Sequence, residues 1–130
     1  MRLPIVITRL FTWGKAPPDI PPDWVSTTVS FHRFADLPHE KGSSVMSPDF
    51  ICLGHEWCLE LYPGGHEEAG EGEENISLFL HHQGDVSIKI GFSVNVRGST
   101  RRSSFQHHRF VGDMGYGRTQ FLKRDVALNI

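Results

Sequence analysis

The chain has 130 residues, enough for one domain with a real core and too few for two. Hydrophobic residues make up 38% and charged residues 22%, the balance of an ordinary soluble protein and not that of a disordered or membrane-embedded chain. The net charge of −2, with eight histidines neutral, gives no global field toward nucleic acid or anionic lipid, so neither is an expected partner.

In chain order, the apolar stretch Leu3 to Leu10 is broken by Pro4, Thr8 and Arg9, and no small-residue cleavage site follows it. Neither a signal peptide nor a membrane span is read there. Ile5 to Trp13 is β-prone, and Pro17, Pro18, Pro21 and Pro22 then favour extended, polyproline-like backbone. Residues 1–23 are accordingly expected to be an N-terminal extension and proline-rich linker, with the domain proper over residues 24–130. From Trp24 to Phe34, Val25, Val29 and Phe31 alternate with Ser and Thr as in a half-buried strand, which Asp36-Leu37-Pro38 ends.

Two β-prone runs, Ser47 to Leu53 and Glu56 to Tyr62, flank a turn expected at Gly54-His55. Trp57, Leu59 and Leu61 point one way, and Cys58, Glu60 and Tyr62 the other. In that register Cys52 faces Trp57 and Cys58 faces Ile51, so the two thiols are offset and no disulfide is expected. Free buried cysteines suit a reducing, cytoplasmic or nuclear compartment. Pro63-Gly64-Gly65 stops the second run, and Glu67 to Glu74 reads as a solvated acidic loop.

Ile76 to Leu80 is a compact strand with His81 to Asp85 as its exit turn. Val86 to Val96 gives the longest alternation, with Val86, Ile88, Ile90, Phe92, Val94 and Val96 on one face and Ser87, Lys89, Gly91, Ser93 and Asn95 outward. Arg97 to Gln106 reads as a polar, basic loop, and Phe110-Val111 resumes extended structure. Phe121 to Leu128 closes the chain as a short strand or tight turn. No apolar 3.6-residue pattern lasts the ten or so residues a stable helix needs. Several strands at roughly ten-residue spacing, punctuated by Gly and Pro, indicate an all-β antiparallel sandwich or barrel. Trp57, Phe92, Phe110 and Phe121 are the expected large core residues.

Catalytic and metal chemistry find little support in these residues. His81-His82 and His107-His108 are adjacent pairs, which on a strand point to opposite faces and cannot share one ion, so both pairs read as solvated turn histidines. No phosphate loop, Rossmann fingerprint or Gly-x-Ser-x-Gly elbow is present, and Cys58 reads as packing, not as a nucleophile paired with His55. Arg97, Arg101, Arg102 and Arg109 lack interleaved aromatics for base stacking and read as a solvated loop. No enzyme, cofactor or metal is expected.

In their order and spacing these blocks resemble the MATH domain, the meprin and TRAF homology fold. The resembling residues are Ser47-Pro48-Asp49-Phe50, Trp57 to Gly65, Ile76 to Leu80, Ile88 to Ser93, Arg109-Phe110-Val111, Gly115-Tyr116-Gly117 and Phe121 to Asp125, so the likeness covers about Trp24 to Leu128. The resemblance implies a TRAF-like sandwich of seven to eight strands that binds extended peptide segments of partner proteins in a shallow groove, as in adaptors that recruit substrates to ubiquitin ligases. A self-associating TRAF-like scaffold is the alternative it implies, although no heptad stalk is present to drive trimer formation. Carried onto this chain, the groove falls on Phe79, Ile90, His108, Tyr116, Gly117 and Arg118. Tyr116 stands where the family often has Trp, Ile90 and Arg118 replace aromatic residues, and His108 replaces Tyr. A less aromatic, more basic groove is expected to take a peptide whose acidic or phosphorylated residue pairs with Arg118. The family continues past Lys123-Arg124-Asp125 to a last apolar strand, whereas this sequence stops at Asn129-Ile130; either the sequence is a fragment, or an edge is left open, or Ile5 to Thr12 fills the gap.

Overall fold

The computed structural model describes residues 2–12, 26–52, 55–66, 75–84, 88–96, 102–110 and 115–128, with the backbone alone for 2, 8–12, 26, 52, 88–92 and 102–110. The strands are β1 (Arg2–Thr12), β2 (Ser26–His32), β3 (Val45–Met46), β4 (Phe50–Cys52), β5 (His55–Tyr62), β6 (Asn75–Gln83), β7 (Ile88–Val96), β8 (Arg102–Phe110) and β9 (Gly115–Lys123). A 3-10 turn over Phe34–Asp36 follows β2, and α1 (Arg124–Leu128) follows β9. One sheet has the order β2-β1-β7-β8, and the other β3-β5-β6-β9. Every pairing is antiparallel. The chain is thus an all-β sandwich. Its strand tally exceeds the expected seven to eight because β3 and β4 are short pieces that share the outer edge of β5.

Strand alternation builds the core between the sheets. Trp57, Leu59 and Leu61 of β5 meet Ile76, Leu78 and Leu80 of β6 on the inner face. Val94 and Val96 of β7, Val29 and Phe31 of β2, and Phe34 and Phe121 complete it. Trp57 and Phe121 are core residues as expected; the Phe92 and Phe110 side chains lie outside the described residues. Ser93, expected outward, is buried.

The largest correction concerns the N-terminus. Residues 2–12, expected within an extension, form β1, paired to β2 on one side and β7 on the other. The cause is its alternation, which puts Leu3, Ile5 and Ile7 at 1% exposure or less while Pro4 and Val6 face out. Pro4 pairs with Ser30 of β2, and the described pairing with β7 begins only at Ile5, so among the described residues the proline has a strand on one side only. Ile5 to Thr12 therefore does join the sandwich. The prolines at 17–22 lie outside the described residues, as do Glu67 to Glu74.

Several local readings also shift. His55, expected in the turn, is instead the first residue of β5, and the register differs from the expected one: Phe50 faces Trp57, Ile51 faces Glu56 and Cys52 faces His55. Cys58 instead faces His81 of β6 and is a free, buried thiol. His81 and His82 are not in an exit turn: β6 runs on through Gln83, because pairing with β5 continues to Glu56. Part of the expected basic loop is strand, since β8 starts at Arg102. Gly115 to Lys123 is one long strand, and Arg124–Leu128 is a helix of 5 residues, short enough to rest on the buried Ala127 and on Arg124, whose Nε donates to the Pro63 carbonyl at 3.0 Å. Among the described residues no helix is long and apolar enough to cross a membrane.

The stop after β5 is as rigid as its sequence suggests. The Gly65 amide donates to the Tyr62 carbonyl at 3.0 Å, with Gly65 at φ 93°, a value that favours glycine. At Gly64 a β-carbon would lie 2.3 Å from the His39 carbonyl oxygen, so the turn packs directly on the segment after β2.

Candidate functional site

Four of the six groove candidates sit on the β6–β9 pair. Phe79 faces Gly117, Leu80 faces Tyr116, and Leu78 faces Arg118. Gly117 is required by close approach: a β-carbon there would lie 1.9 Å from the Leu78 carbonyl oxygen. Ile90 and His108 face each other on β7 and β8 of the other sheet, their side chains outside the described residues. The edge strands β8 and β9 approach one another, which brings the two groups to one seam of the sandwich.

The set nevertheless divides between faces. Tyr116 and Arg118 share the inward-looking side of β9 with their partners Leu80 and Leu78. Tyr116 is half-buried against the core and lines a small apolar cavity with Leu59, Leu80, Val94 and Phe121. Arg118 is exposed, because the inner side of an edge strand opens to solvent at the seam. Phe79 lies on the other, outer face of its sheet. There it forms a cluster with Tyr62 and His66, with ring centroids 5.7 and 5.5 Å from Phe79 and 4.9 Å from each other.

The outer face carries a polar network that the sequence did not reveal. His81 Nε2 and Glu60 Oε1 are 2.8 Å apart, and the Ser44 hydroxyl donates to Glu60 Oε2 at 2.7 Å. Burial alone would raise the Glu60 pKa, but hydrogen bonds from Ser44, His81 and Tyr62 and the His81 charge outweigh it and hold the carboxyl below its ordinary value. Glu60 and His81 lie on neighbouring strands, and only the register brings them together. Beside them, Gln83 Nε2 donates to Cys58 Sγ at 2.8 Å. Burial pushes the Cys58 thiol up, and the Asp49 and Glu60 charges add to this against the Gln83 bond, so the group is a poor nucleophile.

On the inner face, His55 Nδ1 and His82 Nε2 are 3.0 Å apart, and the His82 ring lies 4.9 Å from that of Trp57. His82 is 1% exposed, so it is a core histidine and not a solvated one. Among the described residues no three His, Cys, Asp or Glu side chains come together as a metal set. The described groups contain no activated nucleophile with a base beside it.

Comparison with known proteins agrees with this geometry. A family model of the MATH domain, a protein-interaction fold, matches residues 26–129. The chain is also 27% identical over 111 residues to a probable inactive serine/threonine-protein kinase, fnkC, of Dictyostelium discoideum. That alignment takes in 71% of this chain and 8% of the relative, so the chain spans a small part of that protein's length. The matched span runs from the first residue of β2 through α1, and the chain belongs to the MATH domain family.

Proposed function

We propose that the domain binds extended peptide segments of partner proteins along the β8–β9 seam, and that it serves as a substrate-recruiting adaptor for ubiquitin ligation in a cytoplasmic or nuclear setting. The observation that carries the reading is the pair on β9: an exposed Arg118 beside a half-buried Tyr116, held in register by Gly117, which can only be glycine. Ile90 and His108 extend the surface across the seam, and Phe79 contributes from its outer rim. A peptide lying there gains main-chain contacts from the edge strand, while ring and guanidinium select its side chains.

Arg118 gives the site its chemical preference, an acidic or phosphorylated residue on the partner, because guanidinium pairs with carboxylate and phosphate by two parallel hydrogen bonds. The free buried Cys58 supports a reducing compartment. A peptide-array screen with Arg118→Ala and Tyr116→Ala as controls tests the reading. The hits should weaken with both variants, and phosphorylated versions should bind the parent more tightly. Hits that ignore both substitutions, or equal affinity for phosphorylated and plain peptides, overturn the site or its preference respectively.

A further inference from the structure

Among the described strands, β1 alone lies outside the family match, which begins at Ser26 with the start of β2. Yet β1 is central. Among the described strands it is the only sheet neighbour of β2, and it separates β2 from β7. Leu3, Ile5 and Ile7 have 0–1% exposure and form part of the continuous core. The matched portion by itself therefore has a lane one strand wide, with backbone donors and acceptors on both walls and an apolar floor.

The connection to β2 is long for neighbouring antiparallel strands. It runs over residues 13–25, whereas about two residues close a hairpin. A linking stretch of that length does not impose a register on the two strands as a two-residue turn would. What fixes β1 is the lane. The alternation sets the register, because a slip of one residue would bring Pro4 and Val6 inward in place of Leu3, Ile5 and Ile7.

We propose that the lane between β2 and β7 is a strand-binding site and that β1 fills it as a tethered ligand. The site takes an extended segment with apolar residues at alternate positions, antiparallel to both walls, and the tether contributes only local concentration. The same strand on a second polypeptide fits the lane equally. This site is separate from the β8–β9 seam, and neither proposal depends on the other.

The 130-residue chain with a site-specific protease sequence placed within residues 13–25, cut after folding, tests this. The probe is a fluorescent peptide of residues 1–13, with an Ile5→Asp version as control. The cut protein should keep its N-terminal piece at high concentration, acquire a concentration-dependent Tm, and take up labelled peptide as a rise in anisotropy. The control should bind about tenfold more weakly or worse, because a charge would enter a dry apolar position. The uncut protein should take up little of either. A cut protein whose Tm ignores concentration and which excludes the peptide overturns the proposal. So does one that loses its N-terminal piece without loss of stability, or one that aggregates and is not rescued by excess peptide.

Discussion

The Ser77 hydroxyl donates to the Thr119 carbonyl at 2.5 Å, across the place where the β6–β9 ladder slips. Ile76 faces Leu122 and Leu78 faces Arg118, so the single residue Ser77 stands opposite Thr119, Gln120 and Phe121. The same hydroxyl accepts from the His66 amide at 2.9 Å, and Ser77 is fully buried. One side chain thus satisfies two backbone groups at the bulge and sets the position of Gly115 to Arg118 along β6. Ser77→Ala should lower stability by about 1–3 kcal/mol, the range for stranding buried backbone partners. Denaturant unfolding measures it, and faster amide exchange at His66 should accompany the loss.

Gly117→Ala should be more damaging than its size suggests. The added carbon would meet a backbone oxygen in the middle of a paired strand, which cannot swing aside. A loss of about 3 kcal/mol or more is expected in thermal or denaturant unfolding, at the upper end for overpacking. Gly115→Ala is the contrast. There the obstacle is the His81 ring, which can rotate away at the expense of its contact with Glu60, so the cost should be smaller.

Acid should expose the Glu60 network. The folded state holds the Glu60 carboxyl below its ordinary value of 4.5, so unfolding takes up a proton as the pH falls. The stabilisation is present above about 4.5 and is lost as pH drops through the lower, folded value. Ser44→Ala removes one of the donors responsible. At neutral pH it should lower stability by about 1 kcal/mol at most, since the pair is partly solvated. The difference from the parent should close below the carboxylate range, in Tm measured from pH 7 to pH 3. A difference unchanged at acid pH contradicts this assignment.

Trp57→Ala should cost about 3–5 kcal/mol, the range for deleting a large buried ring. Trp57 is fully buried and packs on His82, with Phe50 as its partner on β4. Urea unfolding measures the effect, and His55 and His82 ring signals in NMR should shift with it.

The parts legible in the sequence are those where burial follows a period of two. Val29 and Phe31, Trp57 to Leu61, Ile76 to Leu80 and Val94 to Val96 were all readable as strands by their alternation. Register was not. The flanks of the expected turn fit more than one pairing, and Cys52 faces His55 where Trp57 is expected, which changes the partner of every residue from Phe50 to Cys52. His82 reads as a turn residue because its polarity suggests exposure, whereas a β-strand can bury a histidine that has an imidazole neighbour. β1 reads as part of an extension because the prolines at 17, 18, 21 and 22 read as linker, and nothing local shows that it pairs with both β2 and β7. At the site, Tyr116, Gly117 and Arg118 are legible only through the family resemblance, and that resemblance does not show that Phe79 lies on the opposite face of its sheet from Tyr116 and Arg118.

The most direct test of peptide binding at the β8–β9 seam is a two-dimensional amide NMR titration of the domain with the best-binding phosphorylated peptide. Shifts concentrated at Ile90, His108, Tyr116, Gly117 and Arg118, with a smaller response at Phe79 and none along β2, are the predicted result. Shifts confined to β2 or to the β3–β4 edge, with the β9 amides unmoved, would contradict it.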